Sequence, residues 1–193
     1  MNHEPRIGCV LMAAGNGARF GANKLLVPYR GKSLILRALE AVPAEALCAV
    51  VVVTQYPEIE ELAKDFGFSC VRNDAPELGI SRTVRLGTEK LQELCDGILY
   101  QVADQPLLRR ETVLRLTEVF RENPDRIVVP VSGTRRGNPC LFPSDLFPQL
   151  RSLQGDRGGS QVIKQFPERV LAVEVPAEEL FDVDTAQALS DLS

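Results

Sequence analysis

Ile7-Gly8-Cys9-Val10-Leu11-Met12 is a continuous apolar run, and Ala13 to Lys24 follows it with small residues and three glycines, Gly15, Gly17 and Gly21. A run apolar at every position suits a strand buried on both faces, not one exposed on alternate residues. The pattern recurs. Cys48 to Val53 predicts a second buried strand, Phe68 to Arg72 a third, Gly97 to Val102 a fourth, Ile127 to Val131 a fifth and Asn138 to Phe142 a sixth, with Val170 to Val175 closing the series. Between them lie stretches of helical period: Ser33 to Val42, Pro57 to Phe66, Ser81 to Leu94, Glu111 to Arg121, Ser144 to Leu153, Gly159 to Phe166, and a last helix after Asp184. Strands alternating with helices predict an α/β fold in three α/β/α layers, Rossmann-like, with a mainly parallel sheet. The turn from Gly133 to Gly137 predicts one antiparallel strand.

In such sheets ligands collect at the carboxyl ends of the strands, which ranks the loops. The loop after the first strand comes first. Its small residues allow a ligand close to backbone N–H groups, and Arg19 and Lys24 can neutralise phosphate. Its spacing departs from two phosphate motifs. Lys24 stands three residues after Gly21 and precedes Leu25, unlike a Walker loop, and three residues separate Gly17 from Gly21, unlike a dinucleotide fingerprint. Asp104, in Ala103-Asp104-Gln105-Pro106 at the end of the fourth predicted strand, points into the same crevice, and Mg²⁺ prefers one or two carboxylates with phosphate and water. In Phe181-Asp182-Val183-Asp184-Thr185 an extended backbone puts Asp182 and Asp184 on one side. Asp184 is then either a second metal ligand beside Asp104 or a plain helix N-cap, with Thr185 opening the last helix.

The bulk composition narrows the classes. The chain has 193 residues and a net charge of −4, with no basic tract, which argues against nucleic acid as a partner. Five cysteines, an odd number without C-x-x-C spacing, argue against a disulfide framework or a cysteine zinc site. The single histidine, His3, cannot build a triad. Neither a leader nor a membrane-spanning run is apparent, so a cytoplasmic location without membrane contact is the expectation.

The run Leu11 to Pro28, LMAAGNGARFGANKLLVP, resembles the signature of the nucleotidyltransferases that act on the molybdenum cofactor. Asn73-Asp74, Leu78-Gly79-Ile80-Ser81, Ala103 to Leu107, Arg135 to Pro139, Gly155 to Gly158 and Asp182 to Thr185 follow in that family's order, from about Ile7 to Leu189. In detail the chain is most similar to the cytidylyl-transferring branch. The resemblance implies one nucleotidyltransferase domain over 1–193, with the nucleotide in the N-terminal half and the acceptor in the C-terminal half. It implies CTP, or another nucleoside triphosphate, held by Met12, Ala13, Ala14, Gly15, Gly17, Asn73, Gly79 and Ser81, with Lys24 and Arg19 on the phosphates. It implies Mg²⁺ on Asp104 and Asp184, a molybdopterin-type acceptor near Arg136, Gly137, Asn138, Pro139 and Asp156, and a molybdenum hydroxylase as downstream partner. The family often has His at the position of Asn138, Gly at that of Ala103 and a small hydroxyl residue at that of Arg82; the departures at Asn138 and Arg82 bear on the acceptor, not the nucleotide. A sugar or polyol phosphate as acceptor, and a carrier that binds without turnover, are the competing expectations.

Overall fold

The computed structural model describes residues 4–15 and 23–192. Its main elements in chain order are β1 (Ile7–Ala13), β2 (Pro28–Tyr29), β3 (Lys32–Ser33), α1 (Leu34–Glu40), β4 (Ala49–Thr54), α2 (Pro57–Asp65), β5 (Ser69–Arg72), α3 (Ile80–Leu91), β6 (Gly97–Val102) and α4 (Arg110–Glu122). There follow β7 (Ile127–Ser132), β8 (Arg135–Arg136), β9 (Cys140–Pro143), α5 (Phe147–Arg151), α6 (Gly159–Gln165), β10 (Val170–Glu174) and α7 (Ala186–Asp191).

Among the described residues the large sheet runs in the order β10-β7-β9-β6-β1-β4-β5, with β8 on β7. β1 pairs parallel with β4 and β6, β4 with β5 and β10 with β7, whereas β9 is antiparallel to both β6 and β7. The expected antiparallel strand is therefore β9, and the two-residue β8 adds a second antiparallel pairing to β7. Alternation along the strands divides the core in two. Ile7, Cys9 and Leu11 pack with Val50, Val52 and Leu99 against residues of α1, α2 and α4. Val10, Val51, Val53, Ile98 and Tyr100 pack on the other face against α3, α5 and α6. Strands covered on both sides explain why their sequence is apolar without interruption. Each wholly buried Leu, Ile or Val stabilises the fold by about 1.5–3 kcal/mol.

Two local expectations are corrected. The segment 144–153 is not one helix: Ser144–Leu146 is a 3₁₀ turn and α5 begins at Phe147 with Pro148 in its first turn, where a missing N–H costs nothing. The strand expected from Asn138 starts at Cys140, after the cis Asn138–Pro139 peptide. The β2–β3 hairpin was not predicted; Arg30 and Gly31, with φ of 47° and 81°, form the kind of two-residue turn that favours positive φ at both positions.

Candidate active site

The carboxyl ends of β1 and β6 lie side by side, since Met12 is in register with Val102. Beyond them opens a cavity of about 370 Å³. Met12, Ala14 and Gly15 form one wall, Val102, Ala103 and Asp104 a second, and Pro76, Gly79, Ile80 and Thr83 a third. Lys24, Leu25 and Asp156 complete it. Arg19 and Gly17 lie outside the described residues.

Three consecutive side chains, from the last residue of β4 onward, set the first wall. Thr54 Oγ1 donates to Ala13 O at 2.9 Å, Gln55 Nε2 to Ala14 O at 2.8 Å and Tyr56 OH to Gly15 O at 2.8 Å. A planar trans peptide directs its N–H opposite its C=O. Drawing the Ala13 and Ala14 carbonyls toward β4 thus turns the amides of Ala14 and Gly15 the other way, to the β6 side. Thr54-Gln55-Tyr56 escaped the sequence reading, whose only signal there was the strand end itself.

Lys24 begins a 3₁₀ turn capped by Asn23, whose Oδ1 accepts from Leu25 N at 3.1 Å. Its ammonium donates to Asp104 Oδ2 at 2.7 Å and to Val183 O at 3.0 Å, and lies 3.8 Å from Asp184 Oδ1. The C-terminal segment holds this arrangement in place. Val183 N donates to Asp104 O at 2.9 Å, Gln105 Nε2 to Asp182 Oδ1 at 2.9 Å, and Arg109 N to the buried carboxylate of Glu179 at 3.0 Å. Burial, reinforced by the charge of Asp104 and opposed by the Gln105 hydrogen bond, raises the Asp182 carboxyl above the usual carboxylate range.

The two C-terminal aspartates therefore differ. Asp182 is half-buried and bound to Gln105, whereas the Asp184 side chain is 71% exposed and near Lys24. Asp184 is not the helix cap: Thr185 is, its Oγ1 accepting from Ala188 N at 3.1 Å. Among the described residues no group of three or more His, Cys, Asp or Glu gathers as a metal cage. One or two carboxylates beside a cavity suit Mg²⁺, which keeps waters and phosphate oxygens as its remaining ligands, and Asp104 with Asp184 fits that donor set.

Asn73 and Ser81 stand behind the cavity wall and brace it. Asn73 is buried, its side chain accepting from Ala75 N at 3.1 Å and Arg82 Nε at 3.0 Å and donating to Thr83 Oγ1 at 3.1 Å. Ser81 is buried too, and its amide donates to Gly155 O at 3.1 Å. Gly79 (φ 87°, ψ −179°) is what lets these segments meet, because a Cβ there would stand 2.5 Å from the Gly155 carbonyl and 2.7 Å from Asp156 Oδ1.

A second cavity, of about 500 Å³, shares Met12, Ile80, Val102 and Asp156 with the first. Its floor is apolar, with Val84, Tyr100, Val129, Phe142, Leu150 and Ile163. Its rim carries Arg136 from β8, Gly137 and Asn138 from the β8–β9 connection, and Gly158, Gly159 and Ser160 at the start of α6. Pro139 is not in this wall. Cys140, pushed up to about 12 by burial, is a neutral thiol whose Sγ donates to Gly137 O at 3.1 Å.

A mainly parallel sheet with this cavity pair at the carboxyl ends of its central strands defines a nucleotidyltransferase of the nucleotide-diphospho-sugar transferase fold. The profile of the MobA-like NTP transferase domain matches residues 9–170, and the chain belongs to that family. It is 28% identical to the purine catabolism protein PucB of Bacillus subtilis, covering 95% of this chain and 94% of PucB. It is 29% identical to nicotine blue oxidoreductase of Paenarthrobacter nicotinovorans, covering 96% and 95%. A probable molybdenum cofactor guanylyltransferase of Thermococcus kodakarensis is 34% identical over 64% of this chain and 58% of its own. Among solved structures, a nucleotidyl transferase of Methanothermobacter superposes with a TM-score of 0.80 at 24% identity over 97% of this chain and 95% of its own. A manganese complex of Rv0371C from Mycobacterium tuberculosis does so with 0.74 at 23%, over 97% of each chain. These superpositions establish the fold.

Proposed function

We propose that the enzyme transfers CMP from CTP to the terminal phosphate of a molybdopterin-type acceptor, with release of pyrophosphate and Mg²⁺ as the metal. The observation that carries this reading is the pair of adjoining cavities, one charged and lined by backbone, the other apolar with a polar rim. A triphosphate fits the first, reached by the Ala14 and Gly15 amides and by Lys24. A flat heterocycle fits the second, with Arg136 at the rim for its phosphate. The N-terminal half thereby serves the nucleotide and the C-terminal half the acceptor.

In this mechanism Lys24 leaves Asp104 when the triphosphate enters and neutralises phosphate oxygens as a compact point charge. The acceptor phosphate attacks the α-phosphorus and the bond to pyrophosphate breaks. Asp104, with Asp184, would hold Mg²⁺, which supplies charge neutralisation at the reacting phosphates. The chain supplies alignment and exclusion of water, the apolar floor keeping solvent from the acceptor's ring. Such a transfer depends on positioning and electrostatics more than on a side-chain nucleophile.

The test is pyrophosphate release by the purified protein with Mg²⁺, molybdopterin or molybdenum cofactor, and CTP, GTP, ATP or UTP in turn. Release with CTP that requires the pterin is the expected result. Release with GTP keeps the reaction and changes the base, in line with the relative named a guanylyltransferase. The near full-length similarity to nicotine blue oxidoreductase favours one second reading, a reductase holding a nucleotide cofactor in the first cavity. Oxidation of NADH or NADPH without pyrophosphate release would select it. Binding of nucleotide or pterin with neither reaction would select a carrier, and release with a sugar or polyol phosphate a different acceptor.

A further inference from the structure

At the end of the sheet away from both cavities, two cysteines are drawn to the start of β1. Cys48 precedes β4, and its amide donates to Ile7 O at 2.9 Å. Cys95 precedes β6, where the Asp96 and Gly97 amides donate to Arg6 O at 2.7 and 3.2 Å. β1 lies between these two strands, so both chains arrive at one place. Gly8 leaves the room: a Cβ on it would stand 2.5 Å from Cys95 Sγ. The two sulfurs are 3.3 Å apart, which is contact. Cys48 is exposed and Cys95 buried, and Arg6, ion-paired with Asp96 at 3.3 Å, flanks them.

We propose that Cys48 and Cys95 are a modification site, a dithiol that hydrogen peroxide oxidises to an intramolecular disulfide. The exposed Cys48 sulfur attacks the peroxide, whose O–O bond breaks; Cys48 becomes a sulfenic acid and the first water leaves. The Cys95 sulfur then attacks the Cys48 sulfur, the S–O bond breaks, and hydroxide departs with the Cys95 proton as the second water. Two thiols lose two electrons and one peroxide gains them. Order follows from exposure: a peroxide reaches Cys48, and Cys95, whose thiol is pushed up by burial, is the resolving partner. The other thiols lack such a partner in contact. Cys70 and Cys140 donate to backbone carbonyls at 3.8 and 3.1 Å, and Cys9 is buried in the core and pushed up to about 12.

Reduced protein treated with a few equivalents of hydrogen peroxide and then alkylated tests this. The expected product has lost about 2 Da, yields a peptide linking Cys48 to Cys95, and shows at least about tenfold less alkylation at Cys48, all reversed by dithiothreitol. Cys48→Ser, at an exposed position, is expected to remove the mass loss, while Cys70→Ser keeps it. Full alkylation of Cys48 after peroxide, its conversion to a sulfinic acid with a gain of about 32 Da, or a Cys48–Cys48 dimer on a non-reducing gel would each overturn the proposal.

Discussion

The two cavities share a wall and differ in how they are made. The first is built mostly from short segments: Met12, Ala14 and Gly15 at the end of β1, Val102 to Asp104 at the end of β6, the turn at Lys24-Leu25, and Pro76, Gly79, Ile80 and Thr83 where α3 begins. The second collects single side chains from α3, β6, β7, β9, α5 and α6. The first is held by side chains bonded to backbone carbonyls and by Lys24 between Asp104 and Asp184, the second by apolar side chains under a polar rim. A site of the first kind fixes charge and geometry. A site of the second kind fixes shape, and is where one family can change its substrate without changing its chemistry. The difference predicts that substitutions will separate by cavity, affecting triphosphate handling or acceptor handling and seldom both.

The largest effect is expected from Asp104→Ala. Pyrophosphate release should fall by on the order of 10³-fold, the scale seen when a fixed electrostatic partner is removed, while triphosphate affinity by calorimetry falls far less. Retained turnover would remove Asp104 from the mechanism. Lys24→Ala should weaken triphosphate binding by about 10- to 100-fold, the worth of a charge-assisted contact, and leave binding of the free nucleoside unchanged. Equal losses for both would make Lys24 a structural residue.

Asn138→His should alter the acceptor's KM at unchanged triphosphate affinity; a changed triphosphate affinity would break the division between the cavities. Gly79→Ala should break it from the other side. Its backbone conformation is open almost only to glycine, so the strain is about 1–3 kcal/mol, and the loop at Gly155 must retreat from walls that both cavities share. Thermal melting should drop by several degrees, at about 2–4 °C per kcal/mol for a chain of this size, with both ligands binding more weakly.

The smallest effect concerns Arg82. Its hydrogen bond and charge hold the exposed Asp74 carboxyl below the usual range. A carboxyl depressed in the folded state contributes stability above its unfolded pKa, and that contribution is lost as pH falls through the folded value. Arg82→Ala should therefore lower the melting temperature slightly at pH 7, with the part due to Asp74 vanishing in strong acid. A difference independent of pH would assign Arg82's role to its hydrogen bond with Asn73 alone.

The sequence alone determined the layered α/β fold, because a strand covered on both faces must be apolar at every residue and a helix on a sheet must carry a 3.6-residue stripe. It also singled out the segments around Lys24 and Asp104, since small residues and charges at strand ends are local signals. Other features depended on contacts between residues far apart in the chain. That Asn73 supports the wall instead of lining it follows from Thr83 and Arg82 spending its hydrogen-bonding groups. That Thr185, not Asp184, caps α7 leaves the Asp184 carboxylate beside Lys24. That Thr54-Gln55-Tyr56 orient the first loop, and that Cys48 meets Cys95 over Gly8, are facts of strand order and register. Periodicity encodes which face of an element is buried; only the assembled sheet decides which side chains from distant elements meet, because their contacts carry no signature along the chain.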